Sequence, residues 1–297
     1  MAEARVLVTG ATGFLGRPLV ERLAREYQVT ALARSVDEEL PAGVERLPAD
    51  LAEASEAREA LAPWRWDAVV NLAGPAPKGI AGFADGAALV GAHVRAAANL
   101  RAAIPAGWAG RLVHASGFIV YGIPRRVPVA EDHPRAPLHA YALGKMLAED
   151  VLLAGDGLDR WILRLPGLFS EERREGALYR FIRAARDGEP LAITAPDPLP
   201  WDVLHVGDAV DAILLALAAE ARDPGPVNVG HGEPVELAAV ARWIAERAGT
   251  GSEVRLEGPA HPVFAMDITR ARTLMGWSPP PLRERLESLR SAFEVPA

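Results

Sequence analysis

The stretch TGATGFLG, residues 9–16, decides how the rest of the chain is interpreted. It follows the apolar run RVLV and precedes a helical pattern, so it joins a first strand to a first helix. We expect Gly10 to allow a tight turn, Gly13 to let the backbone approach a pyrophosphate, and Gly16 to let the helix pack near the strand. A tight turn without a ligand is the competing interpretation, and the position after a leading strand favours a dinucleotide site.

The first 165 residues alternate short apolar runs with helical patterns, which is typical of a parallel sheet with crossover helices. Strands are predicted at 5–10, 28–34, 44–50, 68–74, 111–116 and 160–165. Helices are predicted near 14–26, 53–62, 86–103 and 140–154, where apolar residues recur every three or four positions. The predicted fold class is α/β, a Rossmann-type doubly wound parallel sheet.

A second lobe is predicted to begin after Pro166, where the sequence becomes polar and rich in proline. Further on, a strand, helix and strand pattern ending in VNVG returns the chain to the sheet. The sequence therefore predicts a dinucleotide-binding Rossmann domain at 1–165 and 202–229, with a smaller C-terminal α/β substrate-binding lobe at 166–201 and 230–297.

The composition is that of an ordinary folded protein, with half of its 297 residues apolar and a formal net charge of −7. A nucleic-acid binder needs a basic patch, and the sequence has no Lys/Arg-rich run. The longest apolar stretch, 209–221, is shorter than the ~20 residues of a membrane span and contains Asp211 and Glu220. We therefore expect neither nucleic acid nor a membrane as a partner.

The chain contains no cysteine, which excludes disulfides, thiolate metal ligands and a cysteine nucleophile. This composition is consistent with a cytoplasmic protein. The seven histidines show no metal-binding spacing, and His133 and His139 lie in a loop broken by prolines. We therefore expect no metal site.

The end of the second strand reads ALARS, with Arg34 where a dinucleotide site usually places a carboxylate on the ribose hydroxyls. A planar, permanently charged guanidinium suits a 2′-phosphate better than a diol. An ordinary solvated arginine is the alternative. The sequence favours NADP as the cofactor, with NAD possible.

The ends of the third and fourth strands supply further cofactor contacts. Asp50 could accept a hydrogen bond from an adenine amino group while Leu51 packs against the ring, or Asp50 could instead be the N-cap of the next helix. The small residues at the end of NLAG leave room along the strand tips, where ligands of open sheets bind. The remaining predicted cofactor contacts are Thr12, Phe14, Leu15, Leu72, Ala73 and Gly74.

Tyr141 and Lys145 are four residues apart on a predicted helix, so both side chains project from one face. A phenol is a poor base at neutral pH, and a nearby cation, helped by an oxidised nicotinamide, lowers its pKa. Tyr141 could then exchange a proton with a carbonyl/alcohol pair while hydride moves to or from the cofactor. An ordinary helix face is the alternative interpretation of this pair.

Together these motifs resemble the extended short-chain dehydrogenase/reductase family, the group named for NAD-dependent epimerases and dehydratases. The resemblance covers nearly the whole chain. The motifs that carry it are TGATGFLG, NLAG, VYG at 120–122, YALGK, LRLPGLFS at 163–170, WDVLHVGDAV, VNVGHGEPV and ITRARTLMGWSP. The resemblance implies a Rossmann lobe with a small substrate lobe, Tyr141 as acid and base, and Lys145 on the nicotinamide ribose.

The chain departs from this family at the hydroxyl that orients the substrate oxygen. The resemblance places a Ser or Thr at position 117, which is glycine here, and Ser116 lies one residue earlier. One step along a strand reverses the side-chain direction. The hypothesis is that Ser116 is the third catalytic residue, turned toward Tyr141 by a bulge or a positive φ at Gly117.

Other departures narrow the chemistry that the resemblance implies. Phe118 and Ile119 stand where family dehydratases have an acidic pair, which disfavours elimination of water. The family's nucleotide-sugar epimerases have an Asn within the stretch 165–167 and an Arg near position 201, and this chain has neither. Both polar anchors for a sugar diphosphate are therefore absent.

The leading hypothesis is an NAD(P)-dependent oxidoreductase that transfers hydride between NADP(H) and a carbonyl/alcohol substrate, a ketone or keto-sugar. The alternatives are an NAD-dependent sugar or nucleotide-sugar epimerase and a non-catalytic NADP-binding regulator. The stretch 75–83, Arg173 and Arg174 could touch the substrate, although solvated loop charge is the favoured interpretation. A homodimer formed through the helices near 86–103 and 140–154 is also possible.

Overall fold

The computed structural model describes residues 4–35, 40–75, 86–171, 173, 176–194, 202–257, 264–289 and 293. The strands in these ranges are β1 (Arg5–Thr9), β2 (Gln28–Ala33), β3 (Glu45–Pro48), β4 (Ala68–Asn71), β5 (Arg111–Gly117), β6 (Asp159–Leu165), β7 (Gly167–Phe169), β8 (Leu191–Thr194), β9 (Val203–His205), β10 (Gly225–Asn228) and β11 (Val254–Glu257). The helices are α1 (Gly16–Leu23), α2 (Ala54–Leu61), α3 (Gly86–Ala103), α4 (Ala140–Leu153), α5 (Ala177–Arg186), α6 (Val206–Ala218), α7 (Leu237–Ala248), α8 (Thr269–Met275) and α9 (Leu282–Ser288). A 3-10 helix at Phe118–Tyr121 follows β5 directly.

Seven parallel strands form the main sheet in the order β10-β6-β5-β4-β1-β2-β3. The chain starts in the middle at β1 and builds outward in both directions, so the strand order reverses between β1 and β4. Ligands of open α/β sheets bind beside such a switch point, outside the carboxyl ends of the strands. The predicted doubly wound sheet is confirmed, with the VNVG strand placed two residues earlier than expected.

Both faces of the sheet are covered by apolar clusters. Along β1, Val6 and Val8 point into one cluster, and Leu7 points into the other. This alternation is the two-residue period of a strand, and burial on both sides explains why the strands are continuous apolar runs. Helices α1, α6 and α8 cover one face, and α2, α3 and α4 cover the other.

A third apolar cluster lies in a smaller unit built around α5 and α7, which pack on the β8–β11 pair. Strand β9 pairs with β7 in a separate two-stranded sheet and leads into α6. Buried residues from Phe264 to Trp277 pack into the core of the main sheet. The lobe boundaries themselves stay a prediction.

Candidate active site

The glycine-rich turn has the backbone geometry that its spacing predicts. Gly10 has φ +68°, and a Cβ on it would lie 2.9 Å from the carbonyl carbon of Leu72 at the end of β4. A Cβ on Gly16 would lie 2.3 Å from the carbonyl oxygen of Gly10, so only glycine lets α1 begin this close to the turn. Among the described residues, none caps the N-terminus of α1 with its side chain. The turn therefore presents uncapped backbone N–H groups, which fit a pyrophosphate.

A buried polar contact fixes the strand tips beside this turn. The hydroxyl of Thr9 donates to Oδ1 of Asn71 at 2.6 Å, joining the ends of β1 and β4. The backbone N–H of Ala73 donates to the Thr9 hydroxyl at 3.2 Å. Asn71, which the sequence argument did not single out, thus holds the tip at Leu72–Gly74 in place. Its position as the first residue of NLAG was the available signal.

Helix α4 brings the predicted pair together. His139 caps the helix by accepting from the N–H of Ala142 at 3.1 Å. The Lys145 ammonium lies 6.0 Å from the centroid of the Tyr141 ring and donates to the carbonyl oxygen of Ala115 at 2.9 Å. This bond anchors Lys145 on β5, one helical turn from Tyr141.

Burial dominates the electrostatics of this pair. Burial raises the pKa of Tyr141 to about 12, and the cation that opposes this rise is Arg173. Burial lowers the pKa of Lys145 to about 8, opposed by the negative charge of Glu149. The lowering of the Tyr141 pKa by Lys145 together with an oxidised nicotinamide stays a prediction. The sequence named Arg173 as a residue that could touch the substrate, but not as a neighbour of Tyr141, because it lies 32 positions away in the sequence.

Ser116 is hydrogen-bonded to another side chain of α4. Its hydroxyl donates to Oε1 of Glu149, two helical turns beyond Tyr141 on α4. Gly117 has φ −147° and ψ 151°, and the register between β5 and β6 continues through it without a bulge. The backbone device invoked to turn Ser116 toward Tyr141 is thus not present, and a catalytic role for Ser116 stays a hypothesis.

Glu149 is the centre of a buried polar network beneath the pair. It accepts from Nε and Nη2 of Arg164 at 3.0 and 2.6 Å. Nη1 of Arg164 donates to the hydroxyl of Tyr121 at 2.9 Å, and that hydroxyl donates to Oδ1 of Asn228 at 2.6 Å. The motifs VYG, RLP and VNV therefore meet in one network. Glu149 was findable in principle, since it continues the four-residue spacing of Tyr141 and Lys145.

The remaining predicted cofactor residues line the same edge of the sheet. Arg34 is exposed immediately after β2. Asp50 forms a local turn, accepting from the N–H of Ala52 at 2.8 Å, and the N-cap position of α2 belongs to Glu53. Leu51 is buried, and its carbonyl accepts from Asn99 at 2.7 Å. The rest of the turn is partly open, with Thr12 and Leu15 half-buried and Phe14 exposed.

Arg173 reaches across to the glycine-rich turn. Its guanidinium lies 4.7 Å from the centroid of the Phe14 ring, and Nη1 donates to the carbonyl of Leu168 at 2.6 Å. Together with its effect on Tyr141, this contact corrects the interpretation of Arg173 as solvated loop charge. Arg174, Trp201 and most of the stretch 75–83 lie outside the described residues.

Two features are absent from the described residues. None of their helices is long and apolar enough to cross a membrane. They also contain no group of three or more His, Cys, Asp or Glu side chains placed to hold a metal ion.

The chain is similar to known proteins over most of its length. The profile of the family described as NAD dependent epimerase/dehydratase matches residues 6–230. The UDP-glucose 4-epimerase of Azospirillum brasilense is 28% identical, covering 98% of this chain and 92% of that protein. The dTDP-6-deoxy-L-talose 4-dehydrogenase (NAD(P)(+)) of Kitasatospora kifunensis is 31% identical, covering 98% of this chain and 96% of that protein. Among solved structures, MoeE5 in complex with UDP-glucose and NAD is 28% identical with a TM-score of 0.79, covering 98% of this chain and 99% of that one.

Proposed function

The chain belongs to the NAD dependent epimerase/dehydratase family, and from that premise we propose that it is an NADP-preferring oxidoreductase acting on a ketone or keto-sugar. The observation that carries this proposal is the placement of Tyr141 and Lys145 on one face of α4, with Lys145 bonded to the end of β5. A phenol and an ammonium at the carboxyl edge of a dinucleotide-binding sheet suit proton transfer coupled to hydride transfer.

When bound, the nicotinamide supplies a hydride in reduction or accepts one in oxidation. In the reducing direction Tyr141 donates its phenolic proton to the carbonyl oxygen, and in the reverse direction it takes the proton from the alcohol. With a pKa of about 12, Tyr141 is protonated at neutral pH, which is the state that reduction requires. Lys145, held on the Ala115 carbonyl, would bind the nicotinamide ribose when the cofactor is present, as the family resemblance implies.

The proposed substrate is a carbonyl compound of the size of a sugar. Relatives named for a nucleotide-linked deoxysugar dehydrogenase and a sugar epimerase support this size and chemistry. Phe118 is buried against Phe264, with ring centroids 5.0 Å apart, and it offers no acid or base for elimination. Redox chemistry at a carbonyl therefore fits the site better than dehydration.

Replacing the proton donor tests the function directly. Tyr141→Phe should abolish NADPH-dependent reduction, with a loss of at least about 100-fold in kcat, since general acid catalysis contributes about that much. NADPH affinity, measured by fluorescence titration, should change less than about threefold. Undiminished turnover in this variant would contradict the assignment. Binding of NADPH by the wild-type protein without turnover of any carbonyl would favour a non-catalytic regulator.

The cofactor preference rests on Arg34, which is exposed at the end of β2. Arg34→Ala should weaken NADPH binding by about tenfold or more while leaving NADH binding nearly unchanged, because only NADPH carries the 2′-phosphate. Calorimetric titration with both cofactors measures the ratio. Arg22, exposed on α1, provides a matched control for the loss of one surface positive charge, and an unchanged ratio in the Arg34 variant would rule out the phosphate contact.

Epimerisation is the second candidate, favoured by the likeness to a UDP-glucose 4-epimerase. In that reaction hydride leaves the substrate and returns to it, so the cofactor is not consumed. Nicotinamide retained through purification, with conversion of a sugar to its epimer and no net NADPH oxidation, would favour this candidate over the reductase.

We also propose a homodimer and a cytoplasmic location. The family resemblance supports the dimer, because in family dimers the helices that correspond to α3 and α4 pair with those of a second copy. Light scattering after size exclusion measures the mass.

The location follows from the proposed use of the nicotinamide pool inside the cell.

A further inference from the structure

His93 is a buried imidazole beside the candidate acid, and the proposed proton transfer does not use it. It lies on α3 with 2% of its surface exposed. Its ring centroid is 5.3 Å from that of Tyr141, at an interplanar angle of 58°. Nε2 lies 3.1 Å from the carbonyl oxygen of Pro75, and within the described part of the chain Nδ1 has no hydrogen-bond partner.

Two glycines make room for this ring. A Cβ on Gly74, which has φ +148°, would lie 2.3 Å from Cε1 and Nδ1 of His93. A Cβ on Gly144 would lie 3.1 Å from Cδ2 of the same ring. The imidazole is therefore wedged between the tip of β4 and the helix that carries Tyr141. No side chain larger than hydrogen fits at either neighbouring position without moving it.

The charge state of this ring follows from its surroundings. Burial and the nearby charge of Lys145 lower the pKa of His93 to about 3, so the ring is neutral at working pH. A carbonyl oxygen can only accept a hydrogen bond. The ring proton therefore sits on Nε2, and this N–H donates a hydrogen bond to the carbonyl oxygen of Pro75. A neutral, anchored ring between two backbones positions its neighbours and has no proton to exchange with a substrate.

We propose that His93 is a positioning residue that ties the tip of β4 to Tyr141 through the Nε2–H bond to Pro75 and the contact with the Tyr141 ring. The inference rests on the proposed function, in which Tyr141 is the proton donor and the β4 tip faces the cofactor. Without the bond, the Pro75 carbonyl loses its buried partner, and both Tyr141 and the β4 tip lose a fixed neighbour.

Two substitutions separate positioning from packing. His93→Phe keeps a ring of similar size but removes the N–H, and we expect kcat to fall at least tenfold and NADPH affinity to fall severalfold. His93→Gln restores an N–H at the reach of Nε2, and we expect recovery of both to within about threefold of wild type. Equal kcat and affinity in wild type and His93→Phe would overturn the proposal.

The shape of the pH profile separates positioning from acid–base catalysis. The profile of kcat between pH 5 and 10 should keep its shape in His93→Gln, because His93 does not titrate in that range. Loss of one limb in that variant would overturn the positioning role.

A measurement on the wild-type protein needs neither turnover nor a folded variant. Nitrogen-15 NMR of the labelled histidines should show His93 neutral from pH 5 to 8 with its proton on Nε2. A ring that titrates in this range, or carries its proton on Nδ1, would overturn the proposal even if the protein turns out to reduce no ketone. Failure of Tyr141→Phe to lose activity would overturn the proposed function and leave the NMR and affinity results to decide the role of His93.

Discussion

At Gly117 the main chain is an ordinary extended strand, although the family resemblance places a hydroxyl-bearing residue there. The absence of a side chain is therefore not a backbone requirement. A Cβ at this position would meet Cγ1 of Ile119 at 3.4 Å and the carbonyl oxygen of Leu165 at 3.6 Å, which is normal van der Waals contact. Ser116 lies on the opposite face of β5, and its hydroxyl donates a hydrogen bond to Glu149. The strand alternation thus places the Ser116 hydroxyl on the other face of β5 from position 117, where the family resemblance expects one.

Installing the missing hydroxyl is therefore feasible. Gly117→Ser should fold normally, with the free energy of unfolding changed by less than about 1 kcal/mol, because the site has room and needs no positive φ. We expect kcat/KM for ketone reduction to rise severalfold, because the family resemblance places the hydroxyl that orients the substrate oxygen at this position. A folded variant with unchanged or lower kcat/KM would contradict this.

Ser116→Ala tests the competing hypothesis that Ser116 itself orients the substrate. Its hydroxyl belongs to the buried network of Glu149, so the geometry predicts a loss of stability of about 1–2 kcal/mol. Loss of turnover at unchanged stability would support the catalytic role of Ser116 instead.

Helix α4 is the element on which the candidate site depends. Tyr141, Lys145 and Glu149 follow one another at four-residue spacing, and the last two are anchored to the sheet. Glu149 is fully buried and pairs with Arg164 through two hydrogen bonds, so its charge is compensated inside the protein. The adjacent Asp150 is exposed and contacts Arg135 at 2.7 Å.

Neighbouring acids on this helix should therefore respond very differently to neutralisation. Glu149→Gln should lower the free energy of unfolding by about 3–5 kcal/mol, because it leaves the buried Arg164 without its counter-ion. Asp150→Asn should lower it by less than about 1 kcal/mol, as an exposed pair contributes little. Urea unfolding of both variants measures the difference. Similar losses in the two would show that the network does not hold α4.

At the scale of the whole molecule, Asp202 lies where the chain enters β9 on its way to α6. It is 2% exposed, with Oδ1 accepting from the N–H of Val203 at 2.8 Å. Among the described residues Oδ2 has no hydrogen-bond partner. Burial raises the pKa of Asp202 from 3.8 to about 7, so its carboxyl is neutral in mildly acidic solution and charged in alkaline solution.

The sign of the resulting pH dependence follows from the raised pKa. The folded protein binds this proton more tightly than the unfolded chain, so its stabilising contribution is complete below about pH 4 and is lost as pH rises through about 7. Between pH 5 and 8.5, we expect wild type to lose about 2–4 kcal/mol relative to Asp202→Asn, which cannot ionise. Urea unfolding at several pH values measures this, and parallel pH profiles would contradict it.

Much of the fold and part of the site follow from the sequence by local rules. The three-residue glycine spacing predicts the turn at Gly10–Gly16, because steric limits on φ and on close packing act within a few residues. Alternating apolar runs predict the parallel sheet, and the four-residue spacing of Tyr141 and Lys145 predicts their shared face.

The tertiary structure decided which distant groups share the site. Arg173 acts on Tyr141, Ser116 bonds Glu149, and His93 fills the space between Gly74 and Gly144. Local periodicity determines the face on which a side chain projects, but not what the packed chain brings against that face. The charges and hydrogen bonds of a site depend on those long-range neighbours. The electrostatics of this site are therefore set by the packing of the helices and strands, which local sequence rules do not determine.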